Sequence, residues 1–142
     1  MKLIVRQMMD TSAHAVSADL PIREAIDLLI KKGVTGIPVT NAAGKVLGVL
    51  SEEHCLKLIA EGGEAFDEPK GTVGDYFDPE VLHVSPDVDI YYVAGMFLRE
   101  TKYRRFLVVE DGELLGVITR KDVLRALRDL LPRPSKRAAA SR

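Results

Sequence analysis

Gly44-Lys45-Val46-Leu47-Gly48-Val49-Leu50-Ser51 is answered 68 residues later by Gly112-Glu113-Leu114-Leu115-Gly116-Val117-Ile118-Thr119. The same offset relates Val5-Arg6-Gln7-Met8-Met9-Asp10 to Val73-Gly74-Asp75-Tyr76-Phe77-Asp78, and Val16-Ser17 to Val84-Ser85. Between these anchors the register slips by one residue and slips back, as a small insertion in a helix or turn allows. A period this long denotes two copies of one supersecondary unit, neither of which can bury its apolar face alone. Clefts are expected where the copies meet.

Working outward, each copy carries the same programme. In the first, Asp19 and Pro21 mark a helix start. Ile22, Ala25, Ile26, Leu29 and Ile30 then form one apolar stripe at three- and four-residue spacing, and Gly33 ends the helix. Ile37-Pro38-Val39 and Val46–Leu50 read as two strands around an Asn41–Gly44 turn, with Pro38 expected at a sheet edge or bulge. A helix follows over 52–61. In the second copy Ser85-Pro86-Asp87 is expected to open a helix, with Ile90, Val93, Ala94, Phe97 and Leu98 as its buried stripe. Phe106–Val109 and Leu114–Ile118 are strands around a Glu110-Asp111-Gly112 turn, and a helix runs over 120–131. The expected class is α+β: two pseudo-symmetric repeats, each a small sheet packed against two helices, at 1–63 and 73–131. A linker is expected at 64–72. The basic stretch at 132–142 is expected to be a disordered tail.

The 142 residues suffice for one compact domain or two halves sharing a core, and 46% hydrophobic with 29% charged residues is ordinary for a soluble fold. A net charge of −1 gives no reason to expect binding to nucleic acid or to a membrane surface. The basic residues Arg133, Lys136, Arg137 and Arg142 leave a tail contact with nucleic acid as a minor alternative. No apolar run is long enough to span a bilayer, and the N-terminal residues do not read as a signal peptide. The single cysteine, Cys55, cannot form an internal disulfide, which favours a reducing compartment such as the cytoplasm. Cys55 reads as a buried helix residue.

Neither a nucleophile elbow, a phosphate-binding glycine loop nor metal-spaced ligands occur, so catalysis and metal binding are not expected. The sharper signal is Thr119-Arg120-Lys121-Asp122, where a strand hands over to a helix. Free backbone N–H groups there suit an anion, and the Asp122 carboxylate suits a vicinal diol such as ribose. The same residues also read as a helix cap and a favourable first-turn charge. Lys102, Arg104 and Arg105 precede a core strand. Adjacent strand positions face opposite sides, so solvation explains Arg104 and Arg105 together poorly. With Lys121 they flank the diol acceptor with cations, which suits a nucleotide.

Gly36-Ile37-Pro38-Val39, Gly44 and Gly48-Val49-Leu50-Ser51-Glu52-Glu53-His54 form one set of motifs. Arg105-Phe106-Leu107-Val108, Gly112 and Gly116-Val117-Ile118-Thr119-Arg120-Lys121-Asp122 form the second. Together they resemble a tandem cystathionine β-synthase (CBS) domain pair, over roughly residues 5–131. The resemblance implies a regulatory module that binds an adenine nucleotide (AMP, ADP or ATP) and requires no cofactor. S-adenosylmethionine or NAD are alternative ligands, and a ligand-free interaction module is the rival reading. It further implies a homodimer formed through the helices and a separate regulated enzyme or transporter. By that resemblance Asp122 holds the ribose, while Thr119, Lys121, Arg104 and Arg105 meet phosphate. The base lies against Met9, His14, Val34, Thr35 and Gly36. The mirror cleft, with Leu82, Tyr103 and Arg104, has Ser51 but carries His54 in place of the aspartate. It is expected to be empty or to reject ribose in the usual pose, leaving one competent site per chain. Leu107, where the pattern often has proline, is expected to alter the strand edge little.

Overall fold

A computed structural model describes residues 3–62 and 70–131. Most of the expected linker and all of the basic tail lie outside those residues. The first repeat comprises β1 (Val16–Ser17), α2 (Ile22–Lys32), β2 (Gly36–Thr40), β3 (Val46–Ser51) and α3 (Glu52–Gly62), preceded by a short α1 (Val5–Met8). The second comprises a 3-10 turn (Val73–Asp75), β4 (His83–Val84), α4 (Ile90–Arg99), β5 (Arg105–Glu110), β6 (Glu113–Thr119) and α5 (Arg120–Leu130). Each repeat holds a three-stranded sheet, ordered β1-β2-β3 and β4-β5-β6, with an antiparallel hairpin and one short parallel strand. The two-residue strands β1 and β4 escaped the sequence reading, because two residues carry no alternation to detect.

The register slip can now be located. Residues 33–35 join α2 to β2, whereas 100–104 join α4 to β5, and α4 is one residue shorter than α2. The hairpin turns return the difference. Gly33 closes α2 in the left-handed conformation, at φ 61°. Asp111 and Gly112 take positive φ (52° and 80°), the backbone that a two-residue hairpin between right-twisted strands requires.

Four sequence expectations are corrected. The chain turns at Ser85–Val88, and α4 starts only at Ile90, where the Asp89 carboxylate accepts from Tyr92 N–H at 2.9 Å and caps the helix. Ile30 and Leu98 are not in the buried stripes but 73% and 79% exposed, because a core-facing stripe of a short helix needs only the positions that Ile22, Ala25 and Leu29, or Ile90, Val93 and Phe97, already fill. Cys55 is only half-buried. Proline also matters more than expected: β4 pairs with β5 from Leu107, whereas β1 pairs with β2 only from Val39, one position beyond Pro38. A proline has no N–H to give a ladder, and the leucine at the corresponding position lets the parallel pairing start one residue earlier.

The repeats exchange their lead-in segments. Val5 N–H donates to the Val88 carbonyl at 2.8 Å, Ile90 N–H to that of Leu3, and Val5 is fully buried in the second repeat's core with Val93, Phe106 and Ile118. Symmetrically, Val73 N–H donates to the Leu20 carbonyl at 2.8 Å, and Val73 is fully buried in the first repeat's core with Ile22, Ile37 and Leu50. Farther along, Asp10 and Val117 exchange two backbone hydrogen bonds (2.9 and 3.0 Å), as do Asp78 and Val49. The hairpin tips also meet, with Val46 N–H on the Gly112 carbonyl and Leu114 N–H on that of Gly44.

Candidate functional site

The exchange of lead-in segments builds two corners between the repeats, where β3 gives way to α3 and β6 to α5. Gly48 and Gly116 make them close enough to work. A Cβ on Gly48 would overlap the Asp78 carbonyl oxygen, and one on Gly116 would come within 2.7 Å of the Asp10 carbonyl oxygen. The motif glycines are therefore required by the approach of a second backbone.

At the α5 corner Thr119 and Asp122 form a reciprocal cap. Asp122 Oδ2 accepts from Thr119 N–H at 2.8 Å and from its hydroxyl at 3.0 Å, while Thr119 Oγ1 accepts from Asp122 N–H at 3.3 Å. Asp122 Oδ1 accepts from Arg125 at 2.7 Å; the Asp122 side chain is 11% exposed and that of Arg125 59%. The helix-cap reading of these residues thus holds, and the carboxylate sits at a helix N-terminus whose dipole favours its charge. Met9 lies beside this corner against Gly116. Asp10 is held below the usual carboxylate range by hydrogen bonds from the Ser12 hydroxyl and the Ser12 N–H.

At the α3 corner His54 stands where the second repeat has Asp122, and its ring performs the same task. Nδ1 accepts from Ser51 N–H at 3.1 Å and lies 2.7 Å from the Ser51 hydroxyl, whose oxygen accepts from His54 N–H at 3.3 Å. A cavity of about 430 Å³ opens here between the repeats. Ser51, Glu53, His54 and Lys57 line it from one side, Asp78 and Leu82 from another, and Lys102, Tyr103 and Arg104 from a third.

Arg105 joins the two corners. Its backbone lies opposite Thr119 in the β5–β6 ladder, while its guanidinium crosses to the first repeat, donating to the Thr35 hydroxyl and, at 2.6 Å, to the Gly36 carbonyl. Burial pushes its pKa below the usual arginine value; Glu52 opposes that shift and the neighbouring Arg104 adds to it. Its partners are neutral oxygens. This clamp was not apparent from the sequence, which marked Arg105 as a cation near phosphate.

Of the ten residues singled out in the sequence, Thr35, Gly36, Arg104 and Arg105 thus gather at the 430 Å³ cleft beside Ser51. Thr119, Asp122 and Met9 lie together at the other corner. Val34 packs on the first repeat's core. His14 and Lys121 are exposed and make no side-chain hydrogen bond among the described residues. Arg125 was overlooked, although its i,i+3 spacing from Asp122 is a readable signal for an ion pair. Among the described residues no His/Cys/Asp/Glu group could hold a metal ion, and no helix is long and apolar enough to cross a membrane.

Comparison with known proteins adds the following. The chain is 33% identical over 138 residues to the chloroplastic CBS domain-containing protein CBSX1 of Arabidopsis thaliana, covering 80% of this chain and 58% of that one. It is 31% identical over 130 residues to the A-adding tRNA nucleotidyltransferase of Aquifex aeolicus (90% of this chain, 15% of that one). The human 5'-AMP-activated protein kinase subunit gamma-3 is 30% identical over 113 residues (75% and 23%). The chain thus spans less than two thirds of these curated relatives. Among solved structures, CBSX2 in complex with AMP superposes with a TM-score of 0.77 at 33% identity, covering 89% of this chain and 97% of that one. The CBS domain model itself matches twice, at residues 5–61 and 73–129, one match for each of the repeats whose corners have just been described, and the chain belongs to the CBS domain family.

Proposed function

We propose that the chain is a non-catalytic sensor that binds an adenine nucleotide (AMP, ADP or ATP) between its repeats and passes its occupancy to a separate enzyme or transporter. The observation that carries this reading is the likeness, in sequence and fold, to the CBSX2 structure in complex with AMP. The activity in the name of the tRNA nucleotidyltransferase belongs to a protein of which this chain covers 15%.

The α5 corner supplies the chemistry. A carboxylate has about four acceptor positions, and at Asp122 three are engaged, one of them by the exposed Arg125. One open position, and a second when Arg125 swings away, match the two hydroxyls of a ribose. Thr119 and Lys121 would then meet the phosphates. Met9, His14, Val34, Thr35 and Gly36 would enclose the base, with Arg105 holding Thr35 and Gly36 in place. Binding across the two repeats would favour the conformation in which they are joined. A homodimer through the helices would cover exposed Ile30, Leu56, Tyr91, Leu98 and Leu124. The lone cysteine fits a reducing compartment.

Calorimetric titration with AMP, ADP and ATP tests the proposal. One site per chain is expected, weakened at least about tenfold, or about 1.4 kcal/mol, by Asp122→Ala. The rival is a ligand-free interaction module, favoured by the prior engagement of Asp122 with Thr119 and Arg125. Under it no nucleotide gives heat, and Asp122→Ala changes stability alone.

A further inference from the structure

The caps of α3 and α5 share one geometry but end in side chains of opposite hydrogen-bonding character. At α5 the Asp122 carboxylate keeps acceptor capacity beyond its cap. At α3 a backbone N–H can only donate, so the 3.1 Å contact from Ser51 N–H makes His54 Nδ1 the acceptor. The proton of the neutral ring therefore resides on Nε2. The one lone pair of the ring is occupied within the protein, and what remains to offer a ligand is a donor.

His54 lines the 430 Å³ cleft together with Lys57, Lys102 and Arg104. None of these three cations is ion-paired among the described residues. The acidic residues lining the cleft are Glu52, Glu53 and Asp78, and Asp78 already accepts from Glu80 N–H at 2.8 Å. A vicinal diol placed at this corner finds no acceptor on His54; an oxyanion finds a donor and three cations.

We propose that His54 is a specificity-determining residue, closing the Ser51 cleft to vicinal diols and opening it to an oxyanion of the phosphate class. The cleft is thereby a second site of different chemistry from the α5 corner. The contrast rests on the reading that a carboxylate at this position receives ribose.

Calorimetry with adenosine, a vicinal diol without an oxyanion, on wild type, His54→Asp, His54→Ala and the double variant His54→Asp/Asp122→Ala tests it. Asp at this position keeps the cap, as Asp122 does in the second repeat, so His54→Asp is expected to fold and to melt near wild type. One adenosine per chain is expected for wild type and His54→Ala, two for His54→Asp, and one for the double variant. Equal stoichiometry in wild type and His54→Asp overturns the proposal, as do two equivalent sites in wild type. If wild type binds no adenosine but His54→Asp binds one, the proposal stands and the Asp122 reading fails. Nitrogen-15 NMR of the His54 ring gives an independent readout: the proton is expected on Nε2, and that resonance is expected to move on titration with inorganic phosphate. A proton on Nδ1, or a resonance that phosphate leaves unmoved, overturns it.

Discussion

Arg105 joins the repeats through a part-buried side chain. Its guanidinium is withdrawn from solvent onto Thr35 and Gly36, and hydrogen bonds from a charged donor are typically worth about 1.5–3 kcal/mol. Arg105→Ala is expected to cost about 2 kcal/mol in urea unfolding, while Arg104→Ala, at an exposed position, should cost less than about 0.5 kcal/mol. At Cys55, burial pushes the thiol pKa upward, so its thiolate fraction at a given pH is smaller than that of a free thiol. Alkylation of Cys55 at pH 8 is expected to be slower than that of glutathione; an equal rate would contradict the half-buried placement. Arg104 and Arg105 show what the sequence could convey at this scale. Alternation along a strand indicated that one of the pair must turn inward. It gave no indication of what that side chain would meet, since Thr35 lies 70 residues away in the chain.

Helices α3, α4 and α5 start on side-chain caps, whereas α2 follows Pro21 without one. Removing the Thr119 hydroxyl loses its bond to Asp122 N–H and releases part of the Asp122 carboxylate, so Thr119→Ala is expected to destabilise by about 1 kcal/mol in thermal or urea melts. The outer faces of α2 and α4 expose Ile30 and Leu98, which the apolar periodicity had assigned to the core. Periodicity marks a position as apolar and does not say whether anything covers it. With a homodimer through these faces, Ile30→Glu or Leu98→Glu is expected to shift light-scattering mass from dimer toward monomer without loss of helical signal; an unchanged mass would contradict that arrangement. The hairpins, the helices and the Thr119 cap were legible because each rests on local chemistry. The two-residue strands and the later start of α4 were not, being fixed by pairing with β2 and β5 and by the Asp89 cap.

At the scale of the molecule, the repeating unit in the sequence and the packing unit in space do not coincide. Val5 completes the core of the second repeat and Val73 that of the first, each with no solvent exposure. Deleting residues 1–10 therefore leaves a vacancy in the distant repeat, where losing one buried valine alone costs on the order of 1–3 kcal/mol. Amide exchange is expected to accelerate most in β5, β6 and α5, and not in the sequence-adjacent β2 and β3; the opposite order would contradict the exchange of lead-in segments. This arrangement sets the backbone at Asp10 on β6 beside Thr119 and Asp122, and the backbone at Asp78 on β3 beside Ser51 and His54, so every inter-repeat corner is made by both halves. The offset of 68 residues showed that the halves match; it carried no information on which lead-in segment covers which sheet. The most direct test of the account is a crystal structure of the protein grown with AMP. The account predicts one AMP per chain at the α5 corner, its ribose hydroxyls on Asp122 and Arg125 displaced. An AMP whose ribose lies on His54, or one that touches neither corner, would contradict it.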